Sequence, residues 1–328
     1  MAKKEENYEE QVLKEFEQAQ GKGFVKNGDL GRVDLNGGPS VYDDPNIQRI
    51  EKSIGYINVP LECLPSNGRY YPDNTKISIR AAKVGEIREF STIDERDPKD
   101  VTDKMTYILS QCVKVYYGSV PGSYKDIKTA DRIVLILKIR ELTFVDGASS
   151  IKIPVPSGAC ATVGCKPQEN IDFNTSSLTF KESDPMLEKY YDPVNKCYNV
   201  QTKNFGTITL YVPNVGVSSA ITDWVVKQQR ENNKVDASLA EILQFVIKDW
   251  KGLSDKAIFS ELTQLAGWST EKFTLVYRLV EKLSVGIEFD VTTTCEKCGG
   301  EIKVPITFPD GYKSLFVPTI SDIGDQLL

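Results

Sequence analysis

The chain has 328 residues, of which 40% are hydrophobic and 26% charged, and its formal net charge is −6 at pH 7. This composition is ordinary for a globular protein that can bury a real core and contain two or three domains. The acidic balance argues against a general nucleic-acid binder, which normally presents a basic face. No apolar run approaches the ~20 residues that span a bilayer, and the charged residues 1–6 do not resemble a secretory signal. We therefore expect neither membrane insertion nor secretion.

The residue types also limit the chemistry. Histidine, the usual general base near neutral pH, is absent from the sequence. There is no Walker-type phosphate loop and no GxGxxG after a predicted strand, and the acidic residues form no pair that we would assign as a catalytic dyad. We therefore expect a protein that is not an enzyme, with no catalytic and no cofactor-binding residues. The seven cysteines, an odd number without a signal, indicate a reducing compartment, with core thiols or metal ligands.

The first region, residues 1–55, is predicted to be a helix followed by an extended arm. Apolar residues recur at helical spacing within about residues 1–20, and residues 21–55 are rich in Gly, Asn and Asp. Two interpretations of the helix stay open, namely a solvated and partly frayed helix, or a docking helix that folds onto a partner.

Strand and helix patterns then alternate up to about residue 215. Residues 56–80 have a β pattern, residues 83–90 begin a helix or turn, and Asp97-Pro98 is a typical helix start for a helix that we expect to reach about Tyr117. The nearly continuous apolar run 132–141 fits a buried helix or a buried strand. We favour a helix, with a separate strand starting at Leu142.

The second half begins with a predicted hairpin over 197–212 and continues with four helices. These are predicted over about 218–231, 239–249 (opened by a capping box at Ser238), 254–265, and 270 to Gly286. Strand-like runs at 287–293 and 301–308 follow, and the segment from Tyr312 to Leu328 lacks periodicity, which indicates an exposed tail.

Two cysteine pairs are the strongest chemical signal. Cys295-x-x-Cys298, followed by two glycines and flanked by strands, is typical of a knuckle in which both sulfurs face one ion. Such a site needs about four ligands, and Cys160 and Cys165, which also lie between strand patterns, form the other close pair. We therefore predict a four-cysteine zinc site of Cys160, Cys165, Cys295 and Cys298, structural because four thiolates leave no open position.

Two other interpretations of the cysteines remain. The x4 spacing of Cys160 and Cys165 is wider than the usual two residues, so the pairs could be reduced free thiols or remnants of an ancestral site. A redox function is less favoured, because a redox CxxC normally lies at a helix N-terminus and strands flank Cys295 and Cys298 here.

These elements predict an α+β fold, with mixed helices and short antiparallel strands and two cysteine-turn (zinc-ribbon-like) hairpins. Four regions are predicted: a helix and extended arm over 1–55, an α+β domain with the first cysteine turn over 56–215, a helical segment closing on the second cysteine ribbon over 216–310, and a tail over 311–328.

The ordered set of segments resembles a known family, the small hub and hub-assembly subunits in the baseplates of T-even-like contractile-tailed phages. The resemblance spans about Tyr56 to Phe308 and rests on order rather than on any one motif. Its segments are Leu64–Pro72, Ile77–Arg80, Ile108–Cys112, Asp131–Arg140, the first cysteine turn, Cys295–Gly299 and Ile306–Phe308. Members often carry CxxC pairs in both ribbon positions, and Cys160-x4-Cys165 departs from that pattern.

The resemblance implies a non-enzymatic structural or assembly subunit of the baseplate hub. Such a protein would be made in the host cytoplasm, would be located in the virion tail, and would assemble with other baseplate, hub or tail proteins as part of a hetero-oligomer. Neither nucleic acid nor a membrane is expected as a partner. An alternative from another class is a zinc-ribbon adaptor in viral or host transcription or nucleic-acid handling, against which the acidic balance weighs.

Overall fold

The computed structural model describes residues 55–144, 151–308 and 311–316. The N-terminal helix and arm predicted within residues 1–54, and the predicted tail beyond residue 316, lie outside the described residues. The region boundaries predicted at residues 55, 215 and 310 also stay predictions. Within the described part of the chain, no helix is both long enough and apolar enough to cross a membrane.

An antiparallel four-stranded sheet begins the described chain. Its strands are β1 (Ile57–Val59), β2 (Thr75–Ile79), β3 (Val113–Tyr117) and β4 (Val120–Pro121), and they pair in that order. Alternation buries Ile77 and Ile79 on one face of β2, where Ile77 lies between Val59 and Val115 in the register.

Three helices pack with this sheet: α1 (Val84–Ser91), α2 (Pro98–Cys112) and α3 (Arg132–Thr143). Asp97 caps α2 by accepting a hydrogen bond from the N–H of Lys99 at 2.9 Å. The expectation that α2 reaches Tyr117 is wrong, because the β-branched and aromatic residues after Cys112 pair with β2 as strand β3. The strand expected at Leu142 is also wrong, since α3 continues through Thr143.

The second half of the described residues contains a three-stranded sheet and four α-helices. The sheet orders β10 (Gly206–Tyr211), β9 (Cys197–Thr202) and β8 (Tyr191–Asp192), and the predicted hairpin is confirmed. The helices are α4 (Val215–Arg230), α5 (Ala237–Val246), α6 (Asp255–Ala266) and α7 (Thr270–Leu283). Helix α5 begins earlier than predicted, because its N-cap is Asp236, whose carboxylate accepts from the N–H groups of Ser238 and Leu239.

Three two-stranded sheets complete the described strands. They pair β5 (Ile151–Pro154) with β6 (Asn170–Phe173), β7 (Phe180–Lys181) with β11 (Gly286–Ile287), and β12 (Asp290–Thr294) with β13 (Glu301–Pro305). All of the pairings are antiparallel. The predicted α+β class, with short antiparallel strands and two cysteine-turn hairpins, is therefore confirmed.

Two hydrophobic cores hold the described residues together. The first core joins β1–β3, α2 and α3 to both cysteine hairpins, and its buried members include Ile77, Leu109, Leu135, Phe173 and Ile302. The second core lies between the β9–β10 hairpin and α4–α7, and its buried members include Tyr198, Leu210, Ile221, Leu243 and Val276. The first core therefore contains segments from both ends of the described chain.

The residues after the second hairpin correct a further expectation. A short 3₁₀ helix spans Gly311–Leu315, and Leu315 and Phe316 are fully buried rather than exposed. The Phe316 ring packs edge-on against Phe90 at 5.0 Å, and Arg140 donates hydrogen bonds to the carbonyls of Ser314 and Leu315. A segment this short shows no periodicity, so its burial depends on contacts distant in the sequence.

Candidate metal centre

The first cysteine loop connects β5 to β6. Side chains of these strands point alternately to the two faces of the hairpin, and one face buries Ile153 and Phe173 in the first core. This burial fixes which face of the hairpin packs against the rest of the protein. The loop turns back at Cys165, whose N–H donates to the carbonyl of Thr162 at 3.2 Å, and Gly164 between them has a positive φ of 79°. This turn brings Cys165 back toward Cys160.

The second cysteine loop connects β12 to β13 and forms the predicted knuckle. The N–H of Cys295 donates to the carbonyl of Gly300 at 2.8 Å, and the N–H of Gly299 donates to the carbonyl of Cys295 at 2.9 Å. Gly299 has a φ of 72°, a conformation in which a side chain is strained. Cys298 therefore lies at the tip of a tight turn, on the same side as Cys295.

The two loops are joined by backbone and side-chain contacts. Cys160 forms a β-bridge with Ile302, and the N–H of Ala161 donates to the carbonyl of Glu301 at 2.8 Å. Farther along, the Lys297 ammonium donates to the carbonyl of Pro167 at 3.2 Å. The hairpins thus share hydrogen bonds as well as the first core, and their four cysteines face one another.

The four thiols form one cluster. Cys160 Sγ lies 3.4 Å from Cys298 Sγ, and Cys165 Sγ lies 3.7 Å from Cys295 Sγ. All four Sγ atoms lie within 4.8 Å of one another, and none forms a disulfide. Cys160 and Cys295 are buried, whereas Cys165 is partly exposed and Cys298 exposed. The structure therefore brings together all four cysteines that the sequence analysis predicted as metal ligands.

This donor set fits one tetrahedral ion. With a metal–sulfur distance of about 2.3 Å, a tetrahedral Zn²⁺ separates its sulfur ligands by about 3.8 Å. The distances between thiols are close to that value, and four thiols complete the coordination of such an ion without an open position. The cluster is compatible with a metal site of the structural kind.

Hydrogen bonds polarise the cluster toward the thiolate form at Cys298. Thr162 Oγ1 lies 3.4 Å from Cys298 Sγ, and the N–H of Gly300 donates to the same sulfur at 3.4 Å. The Thr162 hydroxyl, together with this N–H and neighbouring thiols, lowers the pKa of Cys298 to about 6. The pKa of Cys165 is raised to about 12, chiefly by its hydrogen bond with Cys298. A metal ligand must be deprotonated, so the hydrogen bonds at Cys298 favour its ligation, whereas Cys165 must lose its proton when an ion binds.

Gly300 is needed because the two loops approach closely. A Cβ atom at this position would lie 2.5 Å from Thr162 Oγ1 and 3.3 Å from Cys298 Sγ. The absence of a side chain at Gly300 therefore lets the first cysteine loop pack closely and keeps the Gly300 N–H within hydrogen-bonding distance of Cys298 Sγ. This is the role expected for glycines that follow a CxxC pair.

Sequence reasoning missed two contributors to this centre. Thr162 lies between Cys160 and Cys165, and its contact with Cys298 depends on how the two hairpins meet. Lys297 lies inside the second pair, and its bond to Pro167 crosses between the loops. The one sequence feature that could have indicated a role for Thr162 is its position between Cys160 and Cys165.

No family model, no curated protein and no solved structure matches this chain.

Proposed function

We propose that Cys160, Cys165, Cys295 and Cys298 bind one structural Zn²⁺ that clasps the two cysteine hairpins of a non-enzymatic protein. The clustering of all four Sγ atoms within 4.8 Å is the observation that carries this proposal. Soft thiolate ligands in a tetrahedral set favour zinc or an iron–sulfur cluster, and four sulfurs this close suit a single ion.

The closed donor set supports a structural role. Catalytic zinc sites keep one position for water or substrate, whereas four thiolates leave none. The absence of histidine from the sequence also removes the usual partner of a catalytic zinc. Binding the ion then stabilises the contact between two hairpins that are distant in the sequence.

At the level of the whole protein, we infer a structural or assembly subunit of a contractile phage tail baseplate hub, with other hub, baseplate or tail proteins as partners. This inference rests on the ordered segments from Leu64 to Phe308 that resemble the family. Such a protein acts in the host cytoplasm during assembly and then in the virion tail.

A zinc-ribbon adaptor in transcription or nucleic-acid handling is the alternative. Zinc ribbons that bind nucleic acid normally carry basic surfaces, and the net charge of −6 weighs against that role. The two functions differ in a simple measurement, because an adaptor that contacts DNA or RNA binds it with an affinity that falls steeply with salt. We expect no such binding near physiological ionic strength.

Metal analysis of the purified full-length protein tests the zinc site. We expect about one zinc per chain in protein prepared without chelator, and its loss in Cys295→Ser. Cys63→Ser is the matched control, because Cys63 is exposed and lies outside the cluster. Metal-free wild-type protein, or zinc that persists in Cys295→Ser, would contradict the proposed site.

Inactivation of the gene in the phage tests the hub function separately. We expect infected cells to accumulate tail parts without complete baseplates, and expression of the wild-type chain to restore them. Normal tails in the absence of the protein would refute a hub role while leaving the zinc site untouched. Tail tube, sheath and wedge genes beside this gene would support the same function.

A further inference from the structure

A cavity of about 560 Å³ lies where the first and second hydrophobic cores meet. Met105 and Leu137 of the first core contribute to its lining, and Phe245 and Leu283 contribute from the second. The volume falls within the range of about 300–1,000 Å³ that is usual for small-molecule sites, and such sites often form between packed units. None of the four clustered cysteines lines it.

Two polar side chains in this cavity lack partners. Arg132 begins α3, and among the described residues no acceptor pairs with its guanidinium. Burial lowers the pKa of Arg132, an effect that the Tyr312 hydroxyl partly offsets, yet a guanidinium stays charged in proteins. Thr129, which begins the short 3₁₀ helix before α3, also lines the cavity, and its buried Oγ1 has no hydrogen-bond partner.

Unpartnered groups of this kind point to a missing acceptor. Most buried polar atoms in proteins are hydrogen-bonded, because an unsatisfied group loses its bonds to water without replacement. Thr129 Oγ1 is a buried atom of this kind, and the partly exposed Arg132 lines the same largely apolar cavity. A single anionic group could accept hydrogen bonds from both.

The remaining lining residues favour an anion with an apolar body. Lys181 adds a second cation, Glu241 is the one carboxylate among the described lining residues, and both of these side chains are exposed. Phe289 lines the cavity with 79% of its surface exposed, so an apolar aromatic face is available to an incoming ligand. A charged head and an aliphatic or aromatic tail match this distribution.

We propose that this cavity binds a monocarboxylate amphiphile, with its carboxylate on Arg132 and Thr129 and its apolar part between the two cores. The planar guanidinium can hold a carboxylate with two parallel hydrogen bonds, which fixes the head group in orientation as well as in charge. This site depends neither on a metal in the cysteine cluster nor on a role in a phage tail.

Calorimetric titration of the full-length protein with octanoate tests the site, with 1-octanol as the uncharged probe. We expect octanoate to bind at one site per chain and 1-octanol to bind at least about tenfold more weakly, since a charge-assisted hydrogen bond is lost. Arg132→Gln should weaken octanoate binding by about tenfold or more, and Thr129→Val by a few-fold. Arg278→Gln is the matched control, because Arg278 is exposed and lies outside the cavity.

A structural role for Arg132 gives a different result. If Arg132 served only the fold, Arg132→Gln would lower the thermal midpoint, whereas a binding residue without protein partners leaves the midpoint unchanged or raised. Absent octanoate binding, equal affinities of Arg132→Gln and Arg278→Gln, or equal binding of 1-octanol would overturn the proposal. A dimer by light scattering that Phe289→Ser dissociates would also overturn it, because a second copy would then cover this opening.

Discussion

Cys160 Sγ and Cys298 Sγ lie 3.4 Å apart although 138 residues separate them in the sequence. Each thiol belongs to its own antiparallel hairpin, and the backbone bridge between Cys160 and Ile302 holds the two hairpins together beside the thiols. A metal ion bound at this point would therefore link chain segments that enter the first core from the middle and the end of the described residues.

Chelation should destabilise the protein through this link. The four cysteines lie close enough to bind one ion only in the folded state, so removing the metal lowers the stability of that state. We expect the thermal midpoint to fall by roughly 5–10 °C, which corresponds to a few kcal/mol in the free energy of unfolding for a protein of this size. Differential scanning calorimetry with and without a chelator measures the change. Cys298→Ser should start with the low midpoint and show no further shift, while Cys63→Ser should behave as wild type. An equal chelator effect in Cys298→Ser and wild type would rule out the cluster as the metal site.

Tyr71 and Asp131 should be energetically coupled. The Tyr71 hydroxyl donates to Asp131 Oδ2 at 2.7 Å, and both side chains are essentially inaccessible to solvent. The same hydroxyl accepts a hydrogen bond from the N–H of Lys128. Tyr71→Phe removes both hydrogen bonds, so we expect a loss of about 1–3 kcal/mol in the free energy of unfolding. A double-mutant cycle with Asp131→Asn, followed by urea denaturation, should give a coupling energy above about 0.5 kcal/mol.

The adjacent residue supplies the control for this cycle. The Tyr70 hydroxyl bonds to the hydroxyl of Tyr198 at 2.9 Å in the second core, away from Asp131. Tyr70→Phe should cost about 1 kcal/mol and add independently to Asp131→Asn. Equal coupling of both tyrosines to Asp131 would contradict this assignment.

Gly216→Ala should destabilise the protein although alanine favours helices. A Cβ at Gly216, inside α4, would lie 2.4 Å from the Trp250 ring, whose Nε1 is held by a hydrogen bond to Asp126. Overpacking of this kind costs about 1–3 kcal/mol, which exceeds the gain of about 1 kcal/mol from helix propensity. Chemical denaturation of Gly216→Ala measures the net loss. Gly85→Ala in α1 is the matched control, because no atom lies within 4 Å of the added Cβ, and it should be neutral or stabilising.

Lys128 should make stability rise with pH above about 8. Burial lowers the pKa of Lys128 to about 8, although nearby Asp131, Asp126 and Asp249 raise it in part. The unfolded chain holds this proton up to a pKa of about 10.4, so between the two values it binds more protons than the folded protein does. The contribution of Lys128 to the free energy of unfolding therefore increases with pH across this window, by up to about 1.4 kcal/mol per pH unit.

Lys128→Met should remove that increase. The substitution also breaks the bond from the ammonium to the carbonyl of Val212, but that loss shifts the whole curve without changing its slope. Urea denaturation between pH 8 and 10 gives the slope for each variant. Lys251→Met serves as the control, because it removes an exposed lysine that lines the same surface pocket as Lys128. Parallel curves for wild type and Lys128→Met would count against a lowered pKa.

Local patterns in the sequence predicted much of the fold and the thiol set. Asp97-Pro98 marked a helix start, alternation around Ile77 marked a buried strand, and the two cysteine pairs between strand patterns marked the hairpins. Each of these signals lies within a few residues, where backbone preference and side-chain period act directly.

Other features could not be predicted because they depend on partners far away in the chain. Strand β3 follows α2 without a loop, since the backbone beyond Cys112 finds its hydrogen bonds on β2. Leu315 and Phe316 are buried against α1 and α3 although their segment has no period of its own. The unpartnered Arg132 begins a helix and is followed directly by the apolar run Ile133–Leu137, and the cavity beside it forms only where two cores meet.

The sequence by itself determined that two close cysteine pairs were available among the seven cysteines, that no histidine could join them, and that each pair lay between strand patterns. The tertiary structure alone decided that the two turns meet, with Thr162 and Gly300 at the point of contact. The physical reason is that the two kinds of interaction act over different distances along the chain. Turn and strand preferences act between neighbouring residues, whereas the position of one hairpin against the other depends on burying Ile153, Phe173 and Ile302 in a common core.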